Sequence, residues 1–326
     1  MANEPIVSII IPTFQRPKHA MAAARSALAQ RVGASFELVL IDNDPTRSAL
    51  MSLRALAAST SIPVTVVHEP SAGVANARNA GLRAARGELI AFLDDDEIAP
   101  ITWLGELLRV QAAYDADVVF GPVHTRLEEE PLDHAEFFED FFARQPGHAE
   151  GMIDAVYGCG SSLVRRAALP SPEPFSVKRN EIGGEDALVF EMMQRANRRF
   201  AWAPGGFVWE TPERARVSLG YTLMRAFADG QEPTARAWRR SPSNWPRVAL
   251  SMMAGLAESL AYGPLAFLAF LVRTERRAFL YRRVLDGLGK LAWLPLLKPR
   301  CYGAARLGRQ TRADRKSTRL NSSHRH

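Results

Sequence analysis

Cysteine is scarce: Cys159 and Cys301 are the two in 326 residues. Two thiols make no disulfide framework, and neither sits in a metal-binding cysteine cluster. Glycine-rich phosphate loops are also missing. No Gly-x-Gly-x-x-Gly follows the first apolar run, which argues against a dinucleotide cofactor, and no Gly-x-x-x-x-Gly-Lys-Ser/Thr occurs, which excludes a P-loop enzyme. Met1 to Pro5 is too short and too poor in basic residues for a secretory leader, so the amino-terminal part is expected in the cytosol. Carboxylates thin out after about Glu232, whereas Arg236 to Lys316 is full of arginine, so the net charge of +6 is unevenly spread. Basic stretches attract nucleic acid or anionic lipid. There is no internal repeat. Lys316 to His326 is unlike everything before it, reads as a non-native scar, and is set aside from fold reasoning.

What is present begins with Glu88-Leu-Ile-Ala-Phe-Leu-Asp-Asp-Asp-Glu97. A short apolar run with a polar break reads as a strand covered on both faces, as in a parallel sheet. Asp94 to Glu97 follow at once, and like charges a few ångströms apart raise one another's pKa. A hard divalent cation, Mg²⁺ or Mn²⁺, relieves that repulsion through oxygen ligands. The alternative is a solvated acidic loop. Position at a strand's carboxyl end favours a site, because ligands of open α/β sheets bind there.

The rest of the chain supports that setting. Apolar runs at Ile6–Ile11, Glu37–Ile41, Val64–His68 and Val118–Phe120 predict further strands. Helices are expected at 18–30, 48–58, 72–85 and 103–113, with Gly87 as a C-cap residue. Such alternation means βαβ units and a parallel sheet. After Gly121 the alternation stops. Ala135–Arg144 carries four Phe and reads as a helix packed on the sheet in preference to an aromatic sugar platform. Tyr157–Ser162 is a Gly-rich turn entering a short strand, 187–196 a helix, Phe207–Glu210 a last strand, and 218–229 a helix ended by Gly230. Val248–Val272 is nearly all apolar with Glu258 as its one charge, and 278–297 mixes apolar residues with Arg and Lys.

Thr13, Asp42 to Asp44 and Asp94 to Asp96 all follow predicted strands, so a parallel sheet puts them on one rim. Carboxylates facing a metal whose other side meets phosphates fit a nucleoside diphosphate. Asp42 can also be a turn residue before proline. Asp186 can be a helix N-cap, worth ~1 kcal/mol, and a first-turn position also keeps a carboxylate ionised.

Val7–Arg16, Asp42-Asn43, Ala77-Arg-Asn-Ala-Gly81, Phe92–Asp96 and Gly184-Glu-Asp186 resemble, in order and spacing, the motifs of family 2 glycosyltransferases. The resemblance runs from Ile6 to about Gly230, and beyond it Pro212-Glu-Arg214 and Arg225-Ala-Phe look like bacterial transferases that build exopolysaccharide on a lipid carrier. It implies the GT-A fold, a Rossmann-like α/β architecture with a mostly parallel central sheet, and hexosyltransferase-type activity. Thr13 and Asp42 would contact uridine, Arg78 would reach the nucleotide, Asn79 would shape the loop, and Asp95 would belong to the substrate site. Asp96 would hold the metal, with Asp94 on the ribose or the metal shell. Asp186 matches the catalytic base and Glu185 its neighbour. Pro70 stands where relatives often have a base-binding Asn, and Glu210 where many have a His near the metal.

The reading is an inverting, metal-dependent enzyme moving a sugar from an NDP-sugar, UDP-linked, to a glycan or polyprenyl-linked acceptor. Its rivals are a non-catalytic nucleotide-sugar binder and a nuclease-like nucleic-acid protein. The second is disfavoured because the basic residues lie in an apolar tail away from the acids. Domains are expected at 1–235 (catalytic), 236–300 (membrane-associated helices) and 301–326 (basic tail). The location implied is the cytoplasmic face of the bacterial inner membrane.

Overall fold

Valine- and isoleucine-rich runs form the first strands of the computed structural model, which describes residues 6–129, 133–181, 183–240 and 245–299. The expected basic tail, with Cys301, lies outside the described residues. In chain order the first half holds β1 (Val7–Thr13), α1 (Pro17–Leu28), β2 (Phe36–Asp42), α2 (Leu50–Ala58), β3 (Val64–His68), α3 (Val74–Ala84), β4 (Leu89–Phe92), β5 (Glu97–Ile98) and α4 (Trp103–Tyr114). Then come β6 (Val118–Phe120), β7 (Val123–Thr125), α5 (Ala135–Phe142), β8 (Gly151–Ile153), β9 (Ser162–Arg165), α6 (Glu185–Arg195), β10 (Phe200–Trp202) and β11 (Val208–Glu210). Three long helices follow, α7 (Leu219–Arg240), α8 (Trp245–Val272) and α9 (Arg277–Leu291).

The main sheet has the order β3-β2-β1-β4-β9-β6-β10-β8. Strands β3, β2, β1 and β4 pair in parallel, as do β6 and β10, while β9 runs antiparallel between β4 and β6. Side chains of β1 alternate between two cores. Val7, Ile9 and Ile11 pack with Ala20, Ala23 and Ala24 of α1 and Leu104 of α4, whereas Ile10 packs with Ala77 and Ala80 of α3 and Phe190 of α6. Burial on both faces explains why these strands read as unbroken apolar runs. A small sheet, β5-β11-β7, sets Glu97 opposite Glu210. The three-residue strands β7, β8 and β10 carry too few residues to show a period.

The chain divides into two compact units, one of residues up to Arg126 with Phe142–Thr211, the other of Leu127–Phe141 with the chain from Pro212 onward. Helix α7 runs through residue 235, where the sequence placed a boundary, and through Gly230, where it placed a helix end. Gly230 is there for closeness: a Cβ on it would sit 2.4 Å from the Asp286 carbonyl oxygen of α9. Gly255 of α8 and Gly287 of α9 approach in the same way, each Cβ position falling within 2.6 Å of the other's carbonyl oxygen. Small residues let helix backbones come this near. Helix α5 also departs from expectation. Phe137 and Phe138 are buried with Ala278 and beside Phe279, so α5 packs on α9 and not on the sheet. Helix α3 stops at Ala84, with Ala85 already extended. Gly87 serves instead to let the chain pass β1, where a Cβ would lie 2.6 Å from the Ser8 nitrogen.

At the amino-terminal ends of the strands a buried carboxylate ties three segments together. Glu37 of β2 accepts from Ser8 Oγ at 2.7 Å, from the Arg86 backbone N–H at 2.7 Å and from the Arg86 guanidinium at 2.6 and 2.9 Å. Removing it strands buried donors, so Glu37→Ala is expected to lower stability by about 2–4 kcal/mol in urea denaturation. Nucleotide binding should be unchanged, because the site lies at the other ends of the strands. An unaltered urea midpoint would contradict this assignment.

Candidate active site

The carboxyl ends of β1, β2 and β4 form the rim. Thr13 closes β1, and its hydroxyl donates to Asp95 Oδ2 at 2.7 Å. Arg16 lies three residues beyond Thr13. Its guanidinium reaches Asp95 Oδ1 at 3.0 Å and Asp96 Oδ2 at 2.9 Å. Asp42 closes β2 and is fully buried. Its carboxylate accepts from the backbone N–H groups of Asp44 and Ala49 at 3.1 and 3.0 Å, so in this structure it holds its own turn. Asn43 extends the turn across the rim, donating to the Glu69 and Ser71 carbonyls and accepting from Gly73 N–H.

Asp94 to Glu97 follow β4 in a tight turn. Asp94 N–H donates to Glu97 Oε2 at 2.9 Å, and the Asp96 carbonyl receives Thr211 N–H at 2.9 Å. The four acids are thereby crowded. Burial, followed by repulsion from Asp96 and Asp94, pushes the Asp95 carboxyl up to about 7 against the help of Arg16 and Thr13. Burial likewise raises Asp94, and raises Glu97 well above the carboxylate range.

Arg78 on α3 joins this turn to α6. Its guanidinium lies 3.1 Å from Asp94 Oδ1, 2.5 Å from Glu185 Oε1 and 3.8 Å from Asp186 Oδ2, with the Phe175 ring 5.7 Å beneath. Asn79, its neighbour, clasps the Phe175 backbone with two hydrogen bonds of 2.9 and 3.1 Å. Helix α6 begins after Gly183 and Gly184, both at φ 73°, a left-handed conformation that glycine adopts without strain. Glu185 and Asp186 then occupy its first turn, where the helix dipole favours negative charge. Gly184, not Asp186, is the N-cap residue.

The two acids of that turn differ in exposure. The Glu185 side chain is 5% exposed and paired with Arg78, whereas that of Asp186 is 20% exposed. Burial and the Asp186 charge raise the Glu185 pKa, with Arg78 opposing. Asp186 Oδ2 accepts from Cys159 N–H at 3.1 Å. The Cys159 thiol is buried, and burial pushes its pKa far up, so it is no nucleophile.

The structure thus brings Thr13, Arg78, Asp94, Asp95, Asp96, Glu185 and Asp186 together. Glu210, at the end of β11, pairs in register with Glu97. Among the described residues no group of three or more His, Cys, Asp or Glu is arranged to hold a metal ion. The donor chemistry still suits a hard cation, because Asp94 and Asp96 offer carboxylate oxygens in a cluster that repels itself. Such an ion takes one or two protein carboxylates and completes its shell with substrate phosphates and water. Reading the motifs assigns no role to Arg16, though it closes the first quoted motif, and none to Arg144. Nothing in a lone arginine after an aromatic helix marks it for the site.

The model of Glycosyl transferase family 2 matches residues 8–170. Succinoglycan biosynthesis protein ExoM of Rhizobium meliloti is 30% identical over 308 residues, 93% of this chain and 98% of the relative. An Escherichia coli relative, UDP-Glc:alpha-D-GlcNAc-diphosphoundecaprenol beta-1,3-glucosyltransferase WfgD, is 33% identical over 106 residues, 32% of this chain and 39% of that protein. Among solved structures, mannosyltransferase PcManGT from Pyrobaculum calidifontis, in complex with GDP-Man and Mn²⁺, superimposes with TM-score 0.61 at 19% identity, covering 90% of this chain and 88% of its own. That likeness is one of fold, and it matches the GT-A architecture. With the family model covering residues 8–170, which hold all but β10 of the main sheet's strands, and ExoM matched over nearly its whole length, the chain belongs to glycosyl transferase family 2 and is a glycosyltransferase.

Proposed function

We propose that this enzyme transfers a sugar with inversion from a UDP-sugar to a hydroxyl of a lipid-linked glycan during bacterial exopolysaccharide synthesis. One observation carries the reading: Arg78 holds Asp94 and Glu185, 107 residues from Arg78 in sequence, on one guanidinium, with Asp186 beside them. A strand-end acid turn and a separate, partly open carboxylate on a helix start are what a single displacement requires. The succinoglycan role of ExoM supports the pathway class, and the name of WfgD supports both a UDP-linked donor and a diphosphoundecaprenol-type acceptor.

In this reading Thr13, Asp42 and Arg78 bind the nucleotide, Asn79 keeps the Arg78 segment in place, and Asp95 anchors the rim through Thr13 and Arg16. Asp94 and Asp96 would hold Mn²⁺ or Mg²⁺, with Glu210, in register with Glu97, as a further candidate ligand. When bound, the ion would supply Lewis-acid stabilisation of charge on the departing diphosphate. Asp186 receives the proton of the attacking acceptor hydroxyl, since it is the more open acid of its turn. Glu185 is fixed by Arg78 and serves to orient that turn. One base and one leaving-group side make a single displacement, hence inversion.

We read the enzyme as attached to the cytoplasmic face of the inner membrane, and α8 supports the attachment. It is long and apolar enough to cross a bilayer, and 17% of its most apolar window is buried. Glu258, the charge in the middle of the stretch, is paired with Lys290 of α9 and so faces away from the open side. Met253, Leu260, Phe267 and Phe270 on that side are at least 60% exposed. A crossing would carry Arg282, Arg283 and Lys290 of the packed α9 into lipid, so α8 is read as lying in the interface with its arginines at the headgroups.

Asp186→Asn is expected to keep UDP binding and to lower turnover by roughly 10²–10⁴-fold, whereas Asp96→Ala abolishes metal-dependent UDP binding; near-normal turnover of the Asn variant removes Asp186 from the mechanism. On fractionation the protein should sediment with membranes, resist a high-salt wash and be released by detergent. Recovery in the soluble fraction without detergent contradicts the attachment.

A further inference from the structure

Arg144 stands in the same site without a task. Its backbone is pinned to β7, with Arg144 N–H donating to the Val123 carbonyl at 2.8 Å and Val123 N–H donating back at 3.2 Å. Its guanidinium goes to carbonyls instead of carboxylates. It donates to Gly121 O at 2.8 Å, to Gly158 O at 3.0 Å, to Gly160 O, and more weakly to Ser161 O at 3.4 Å. Gly158 and Gly160 flank Cys159, the residue whose N–H meets Asp186 Oδ2. The two glycines are themselves tight against the acids. A Cβ on Gly158 would lie 3.0 Å from Asp186 Oδ2, and one on Gly160 would lie 2.3 Å from Glu97 Oε1 and 3.2 Å from Asp94 Oδ2.

Resting on the assignment of Asp186 as base, we propose that Arg144 is a positioning residue. By gripping the carbonyls on either side of Cys159, it presses the Gly158–Gly160 loop against Asp186 and fixes the direction of that carboxylate. A planar fork with five donors can hold several carbonyls at once, which a lysine ammonium cannot match geometrically. A guanidinium also brings positive charge among Glu97, Asp94, Asp186 and Glu210, all of which act on it. Misaiming a reacting group by about 1 Å costs on the order of 10²-fold in rate. The arrangement is therefore worth keeping even though Arg144 touches no reacting atom.

The test combines a loop probe with a double-mutant cycle, in the full-length chain carrying Cys301→Ser. Cys159 is buried, so the loop's hold is read by its reaction with Ellman's reagent. Arg144→Gln is expected to speed that reaction at least roughly tenfold, to lower turnover roughly 10–100-fold, and to leave UDP affinity within about threefold. Turnover is read as UDP release from UDP-glucose, UDP-galactose and UDP-N-acetylglucosamine with Mn²⁺ and a bacterial lipid extract. In an Asp186→Asn background the same substitution should add less than about threefold, because groups acting as a unit are not additive. Arg144→Lys should recover part of both losses. Should Arg144→Gln fail to fold, Gly158→Ala replaces it: its new methyl displaces Asp186 directly, with lower turnover and retained UDP binding expected. A protected Cys159, or losses that multiply independently of Asp186, overturns the positioning role alone. Normal turnover in Asp186→Asn by itself overturns the base assignment and the positioning role with it.

Discussion

A guanidinium buried among carboxylates is the contact on which the site depends. Arg78 is 5% exposed and meets Asp94, Glu185 and Asp186. Glu185 is buried beside it, and an unpaired buried charge costs several kcal/mol. Without Arg78, the β4 turn and the α6 start would repel one another, and Glu185 would be left buried and unpaired. Arg16 plays the matching part on the outer side, between Asp95 and Asp96. The site is thus an acidic cluster held by two arginines from the first unit's amino-terminal half. One Arg78 nitrogen, Nε, is buried with no hydrogen-bond partner among the described residues, the kind of orphan that a polar ligand group satisfies.

This balance explains which residues could be read from sequence. Strands β1, β2 and β4 were legible because they are buried on both faces and so appear as apolar runs, whereas β3, half-buried at the sheet edge, showed through its valines. The rim was legible because a parallel sheet puts Thr13, Asp42 and Asp94 at the same ends. Asp42 shows the limit of such reading, since its oxygens meet its own turn and its burial is complete. Arg144 was illegible for the opposite reason. Its partners are backbone carbonyls, which no side-chain pattern records. Gly230 was legible as glycine but not as a contact, because a helix stop and a close helix crossing need the same small residue.

The second unit follows a different logic. Packing between α7, α9 and α8 relies on glycines that let backbones meet, which leaves little buried side chain on α8. Trp238, Trp245 and Trp293 cluster with ring centroids 5.3 and 5.6 Å apart. Tryptophan at that place and arginines in and after the α8–α9 turn are the residues favoured at a membrane–water boundary. The apolar face and its polar limits fit an interfacial helix better than a soluble core helix. The Glu258–Lys290 pair is central to this, because it takes the one charge of the stretch off the open face.

In the proposed mechanism the acidic rim becomes a metal site only together with a nucleoside diphosphate. Among the described residues no group of three or more His, Cys, Asp or Glu is arranged to hold an ion, so substrate phosphates would have to complete its shell. Titration of Mn²⁺ into the protein by calorimetry, with and without UDP, addresses this directly. Weak Mn²⁺ binding alone is expected, with binding tightened at least roughly tenfold by UDP and an equal tightening of UDP by Mn²⁺, as linkage requires. Tight Mn²⁺ binding indifferent to UDP, or UDP binding indifferent to chelation of the metal, would contradict it.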